Sequence, residues 1–208
     1  MILCAPWGQE YLCAHRSLRK LGDLLSASGH HVMRFDYFGT GDSGGDLGDA
    51  GLAAWRSDIR LAMEELREAS GIERVSLVGL RLGAALAAEV AAQSTALVDS
   101  LILWDPIVSG RDYVDTLEQI GSGAEVDGFE LSASLAAEMR EIDLREVLAQ
   151  LRLPVAAVAT THATQQDWVS TGMLSRHVED VCAWQQDRQL GAGAIPVRAL
   201  SQILEWLR

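Results

Sequence analysis

Val75-Ser-Leu-Val-Gly79-Leu80-Arg81-Leu82-Gly83-Ala84 is the stretch whose reading decides the fold. Val75 to Val78 is an apolar run of strand length, and an Ala-rich helical segment, Leu82 to Gln93, follows it. Between them Gly79 and Gly83 flank Arg81 at the spacing of a Gly-x-Ser-x-Gly elbow, a tight strand–turn–helix in which the glycines let neighbouring backbones approach. The central residue is Arg81. A guanidinium is protonated at any ordinary pH and cannot act as a nucleophile.

Working outward, Met1 to Ala5 reads as a strand at the start of the chain, with Pro6 to Glu10 as the loop after it. Arg16 to Ser28 reads as a helix carrying Leu18, Leu21, Leu24 and Leu25 on one face, closed by Gly29. His31 to Phe35 is a second strand, followed by a Gly- and Asp-rich loop, Gly39 to Gly51. Leu52 to Ala69 is an amphipathic helix, and Leu101 to Trp104 a strand ending at Asp105-Pro106. Residues 107–153 read as mainly helical, Leu131 to Leu151 included. Val155 to Thr160 and Asp180 to Trp184 read as strands, and Pro196 as the first residue of a last helix. Strands alternating with helices predict one α/β domain over 1–208, a mostly parallel sheet with helices on both faces.

The chain has 208 residues, 49% of them hydrophobic, which suffices for an ample core. No apolar run approaches the ~18 residues of a membrane span, and the N-terminus lacks a secretory pattern. Cys4, Cys13 and Cys182 are scattered and form no metal-ligand spacing, so reduced thiols in a cytoplasmic protein are expected, with no metal or cofactor. A net charge of −12 excludes nucleic acid as a natural partner. Gly39-Thr-Gly-Asp-Ser-Gly44 spells a dinucleotide fingerprint, but Asp42, Asp46 and Asp49 would repel a pyrophosphate.

Three segments together, Ala5-Pro-Trp-Gly-Gln-Glu10, Arg34-Phe-Asp-Tyr-Phe-Gly-Thr-Gly-Asp-Ser-Gly-Gly45 and Gly79 to Ala84, resemble the α/β-hydrolase superfamily. They are most similar to its serine-aminopeptidase-like branch, and within it to the exosortase-A-associated hydrolases of bacterial biosynthetic clusters. Leu103 to Arg111 and Asp127 to Leu131 are also similar to that group. The resemblance implies a three-layer fold with a small helical lid about 107–153, here shortened at its N-terminal side. It implies an oxyanion-hole loop at Pro6 to Gln9, and a triad whose Ser position is Arg81 and whose His position, in the loop 185–195, holds no His.

An arginine at a helix N-terminus opposes the helix dipole by about 0.3–1 kcal/mol, so an acidic partner is expected. Glu10, Asp36, Asp42 and Asp105 all fall at strand ends on one edge of the expected sheet. Arg81 then either closes an internal ion pair or clamps a ligand carboxylate or phosphate. Trp7 and Gly8 would line an acyl pocket, with Leu80 and Leu82 flanking the elbow and Ser43 nearby. His15 and His162 fall on the same edge as candidate general bases. The expected ligand is a small acyl ester, thioester or carboxylated intermediate, handled without a triad. The alternative is a catalytically inactive binding or scaffolding partner. An exposed sheet edge is expected to pair with a second copy or a partner protein.

Overall fold

The computed structural model describes residues 1–160, 174–180, 184 and 195–207. Strands β1 (Ile2–Cys4), β2 (Met33–Arg34), β3 (Val75–Leu80), β4 (Val98–Trp104), β7 (Val155–Ala159) and β8 (Leu174–His177) form one sheet in the order β2-β1-β3-β4-β7-β8. Every neighbouring pair in it is parallel. Helices α1 (Gln9–Ala27) and α7 (Val197–Trp206) touch each other on one face. Helices α2 (Leu52–Ser70), α3 (Leu82–Gln93) and α6 (Leu144–Gln150) pack together on the other. This is the arrangement that right-handed crossovers between parallel strands produce. It is the α/β-hydrolase-type fold that the sequence resemblance implied, a parallel sheet with helices around it.

The central strand β3 is buried along nearly its whole length, as a strand covered on both faces must be, which is why it reads as an unbroken apolar run. Helix α3 behind it is almost entirely buried and is built mainly of alanine. The small side chains let it lie close against β1 and β3. The closest approach is at Gly83: a Cβ there would sit 2.2 Å from the carbonyl oxygen of Ala5.

Between β4 and β7 lies a cap of α4 (Gly110–Ile120), the hairpin β5 (Glu125–Val126) and β6 (Phe129–Glu130), and α5 (Ala133–Arg140) followed by α6. The stretch is mainly helical, as read from the sequence, with a small hairpin that the reading did not include. Its turn, Asp127-Gly128, has positive φ at both residues, 49° and 86°, as a tight two-residue hairpin demands. Ser109, Ser132 and Asp143 cap the three helices by accepting from Asp112, Leu135 and Arg145 backbone N–H groups. Arg140 on α5 binds Asp115 and Glu118 on α4. Glu138, also on α5, accepts the backbone N–H of Leu52 at 2.8 Å and so caps α2 from outside.

One further difference from the sequence reading has a simple cause. Helix α1 starts at Gln9 and not at Arg16, because Gly8, at φ 65°, turns the chain straight into it. The buried position of its first turn is Glu10, a polar residue, so no apolar stripe announced it. Beyond β7 the described strand is Leu174–His177; residues 181–183 of the strand expected over 180–184 lie outside the described residues, while Asp180 accepts the N–H of Ala199 at the start of α7 and Trp184 is buried.

Replacing Gly83 by alanine forces this Cβ into backbone. The expected loss in chemical denaturation is about 2–3 kcal/mol. A loss within ~0.5 kcal/mol, the range of neutral surface changes, would refute the close approach.

Candidate active site

Arg81 stands alone between β3 and α3, as the N-cap of that helix, at φ 54° and ψ −120°. A non-glycine residue in such a conformation costs on the order of 1–3 kcal/mol unless its surroundings hold it there. They do so on the backbone and on the side chain. The Arg81 N–H donates to Trp104 O at 3.0 Å, and its carbonyl accepts from Ile107 N at 3.3 Å. The guanidinium Nε and Nη2 both reach Glu10 Oε1 at 3.0 Å, and Nη1 donates to the Asp105 carbonyl oxygen at 3.2 Å. Tyr113 on α4 donates its hydroxyl to Glu10 Oε2 at 3.2 Å and lies with its ring under the guanidinium, 5.8 Å from centroid to Cζ.

This cluster is largely buried. Glu10 is 2% exposed and the Arg81 side chain 15%. Burial works against the Arg81 charge, but Glu10 and then Tyr113 and Asp105 outweigh it, and the guanidinium is held above its ordinary range. The Tyr113 hydroxyl is pushed well above its ordinary range, first by burial and then by the Glu10 carboxylate.

Asp105, at the end of β4, is the second strained residue of this edge, at φ 40°. Its backbone carbonyl meets the guanidinium, and its carboxylate has further partners. It accepts from Thr160 N at 2.7 Å, from the Thr160 hydroxyl, and from Trp184 Nε1 at 2.9 Å. Trp184 in turn meets Trp104 edge to face at 5.3 Å.

The remaining candidates separate. Leu80 and Leu82 are buried on either side of Arg81. Asp36 accepts from Tyr11 Oη at 2.7 Å and from Asp42 N at 3.0 Å, so its carboxylate braces its own loop. Ser43 closes a turn there by donating its N–H to Thr40 O at 3.0 Å. His15 is exposed on α1 and, with Tyr11, Arg34, Asp36 and Asp42, lines a groove of about 190 Å³ beside β2. His162 and Cys182 lie outside the described residues.

Trp7 and Gly8 line a second cavity, of about 160 Å³, with Tyr11, Leu12, Leu47 and Phe129. Phe129, from the hairpin, meets Trp7 edge to face at 6.2 Å. Trp7 is 4% exposed, and its Nε1–H has no hydrogen-bond acceptor among the described residues. Sequence reasoning missed Tyr113 and Phe129 as members of the site. Asp127-Gly128 signalled the turn that delivers Phe129, whereas nothing near Tyr113 signalled its reach to Glu10.

Among the described residues no group of three or more His, Cys, Asp and Glu side chains could hold a metal, and no helix is long and apolar enough to cross a membrane. Cys4 stands opposite Gly79 in the sheet register. Burial, partly opposed by a hydrogen bond with Tyr37, pushes its thiol up to about 12.

The family model for serine aminopeptidase, S33 (Hydrolase_4) matches residues 14–208. A 61-residue stretch is 35% identical to the palmitoyl-protein thioesterase ABHD10, mitochondrial, of Rattus norvegicus, covering 29% of this chain and 19% of that relative's length. Among solved structures, the esterase Est1E from Butyrivibrio proteoclasticus with ferulic acid bound superposes with a TM-score of 0.71 at 16% identity, over 99% of this chain and 88% of that one. Mouse α/β-hydrolase domain-containing protein 10 does so with a TM-score of 0.63 at 16% identity, over 99% and 88%. At such identities these structures speak for the fold.

Glu10→Ala leaves the Arg81 charge buried and unpaired and is expected to cost about 3–5 kcal/mol in denaturant unfolding, while Glu10→Leu with Arg81→Met recovers most of it. Equal losses for the single and double variants would remove the pair as the strut of the site. Because its raised pKa keeps Cys4 a neutral thiol, native protein should leave it unalkylated by iodoacetamide at about pH 8.5, where an ordinary cysteine is half ionised and reacts. Peptide mapping that found Cys4 modified in folded protein would contradict this.

Proposed function

The chain belongs to the serine aminopeptidase S33 hydrolase family, and from that premise we propose that it binds an acyl ligand without forming an acyl-enzyme. The observation that carries this reading is Arg81 itself. It occupies the elbow in the strained conformation of a presented residue, yet its guanidinium is committed to Glu10 and Tyr113. A protonated guanidinium has no lone pair to offer a carbonyl, so a Ser-His-Asp route through this position is closed. The same commitment argues against Arg81 as an anion clamp, since a ligand carboxylate would have to displace a buried glutamate.

The ligand's place in this reading is the cavity beside Trp7 and Gly8. Its wall is mainly apolar and aromatic, suited to a short or aromatic acyl group, and the buried Trp7 Nε1–H is a donor still without an acceptor among the described residues. A carbonyl or other acceptor on the ligand would satisfy it. The ferulic acid bound in Est1E supports an acid or ester of this size, and the name of the rat relative, a palmitoyl-protein thioesterase, supports thioester chemistry although it names a longer chain. In keeping with the likeness to hydrolases of bacterial biosynthetic clusters, the ligand would be a cytoplasmic pathway intermediate. The sealed Arg81–Glu10 pair also favours a second reading, a pseudo-hydrolase kept as a scaffold.

The test combines binding with labelling. Wild type is expected to bind a hydroxycinnamic acid by calorimetry, to hydrolyse no p-nitrophenyl ester, and to resist a fluorophosphonate. Leu47→Trp, which fills the cavity, should abolish the binding heat and leave the fold intact. Covalent labelling or turnover by wild type would overturn the non-covalent reading. Absence of binding across acids, esters and thioesters would leave the scaffold.

A further inference from the structure

The cavity beside Trp7 has few polar side chains, and most of them are already engaged. None of the described residues lining it carries a charge. Its polar side chains are those of Trp7, Tyr11 and Thr40. The Tyr11 hydroxyl donates to Asp36 Oδ1 at 2.7 Å. Burial and then that carboxylate push it up to about 12, so it keeps its proton. The Thr40 hydroxyl donates to Tyr37 O at 2.8 Å. The Trp7 Nε1–H is buried with no acceptor among the described residues. From its side chains the wall therefore offers a ligand one unspent donor, and that donor is neutral.

The charges flanking this wall are acidic. The Asp36 carboxylate lies against Gly41 and accepts the N–H of Asp42 at 3.0 Å. Asp46 precedes Leu47 and is exposed. Glu130, next to Phe129, brings its carboxylate within 3.1 Å of where a Cβ on Gly48 would stand. The cations of this end serve other places. Arg81 is bound to Glu10, and Arg34 and His15 line the separate groove on the far side of Tyr11.

We propose that the cavity selects an uncharged acyl conjugate, an ester, thioester or amide, and discriminates against the corresponding free carboxylate. The inference rests on the acyl-binding reading above and narrows it. A carboxylate has two oxygens with about four acceptor sites and a full negative charge. In this cavity a single indole N–H would answer it, with no cation on the wall and carboxylates behind it. Stripping water from an unpaired ion costs far more than stripping it from a neutral carbonyl. A conjugated carbonyl is satisfied by one donor and is indifferent to the sign of the charges around it.

The test is calorimetric titration of the full chain with ferulic acid and with its primary amide, at about pH 7.5, where the acid is ionised. The two probes share one shape and differ in charge. The amide is expected to bind about tenfold more tightly or better. Glu130→Lys reverses one flanking charge at an exposed position that does not line the cavity. It is expected to strengthen acid binding about threefold or more and leave amide binding unchanged. Circular dichroism checks folding, and Asp46→Lys serves if Glu130→Lys does not fold. An acid that binds as tightly as the amide overturns the selection and leaves the acyl-binding reading standing. A preference for the amide that neither folded variant narrows overturns its electrostatic origin and so the proposal. Failure of both probes to bind removes the acyl-binding reading, and this inference with it.

Discussion

The Glu10–Arg81 ion pair joins three parts of the molecule: the first turn of α1, the turn between β3 and α3, and helix α4 through Tyr113. Each partner is costly alone. Arg81 faces the positive end of a helix dipole in a strained conformation, and Glu10 is a carboxylate removed from water. Held together, with a hydroxyl on the far carboxylate oxygen and a carbonyl on the guanidinium, they satisfy one another. The turn can then keep a conformation that a long side chain would otherwise abandon.

The strain is shared between neighbours. Arg81 and Asp105 sit at the ends of adjacent strands, both at positive φ, and the Arg81 N–H and guanidinium both bond to carbonyls at the end of β4. Asp105 anchors a separate set, Thr160 and the buried Trp184, so the carboxyl ends of β4 and β7 are locked from behind as Arg81 is locked from in front. A site braced on both sides does not rearrange easily around a ligand. The accessible space is therefore the neighbouring cavity under Phe129, bounded by glycine-rich loops and one hairpin.

Much of this was legible in the order of residues. Gly79 and Gly83 are glycine because backbone passes where a Cβ would stand, and their spacing around Arg81 marks the strand–turn–helix within the sequence itself. The alternation of apolar runs with helical faces announced a parallel sheet, and a cation at a helix start announced an acidic partner. Which acid it was lay beyond sequence. Glu10, Asp36, Asp42 and Asp105 all reach the same edge, and only the fold shows that Asp36 is taken by Tyr11 and its own loop, and the Asp105 carboxylate by Thr160 and Trp184. Tyr113 was illegible for a related reason: its role depends on how α4 lies over the elbow, and no local pattern encodes that. The helix start at Gln9 was hidden because the buried residue of its first turn is charged.

Glu138 has a consequence for how the molecule moves. Its carboxylate belongs to the cap, yet it completes the first turn of α2, a helix of the main body. Swinging α5 outward as a flap would strip α2 of that acceptor and break the Arg140 contacts to α4 at the same time. The helical part of the cap therefore melts with the body rather than opening from it.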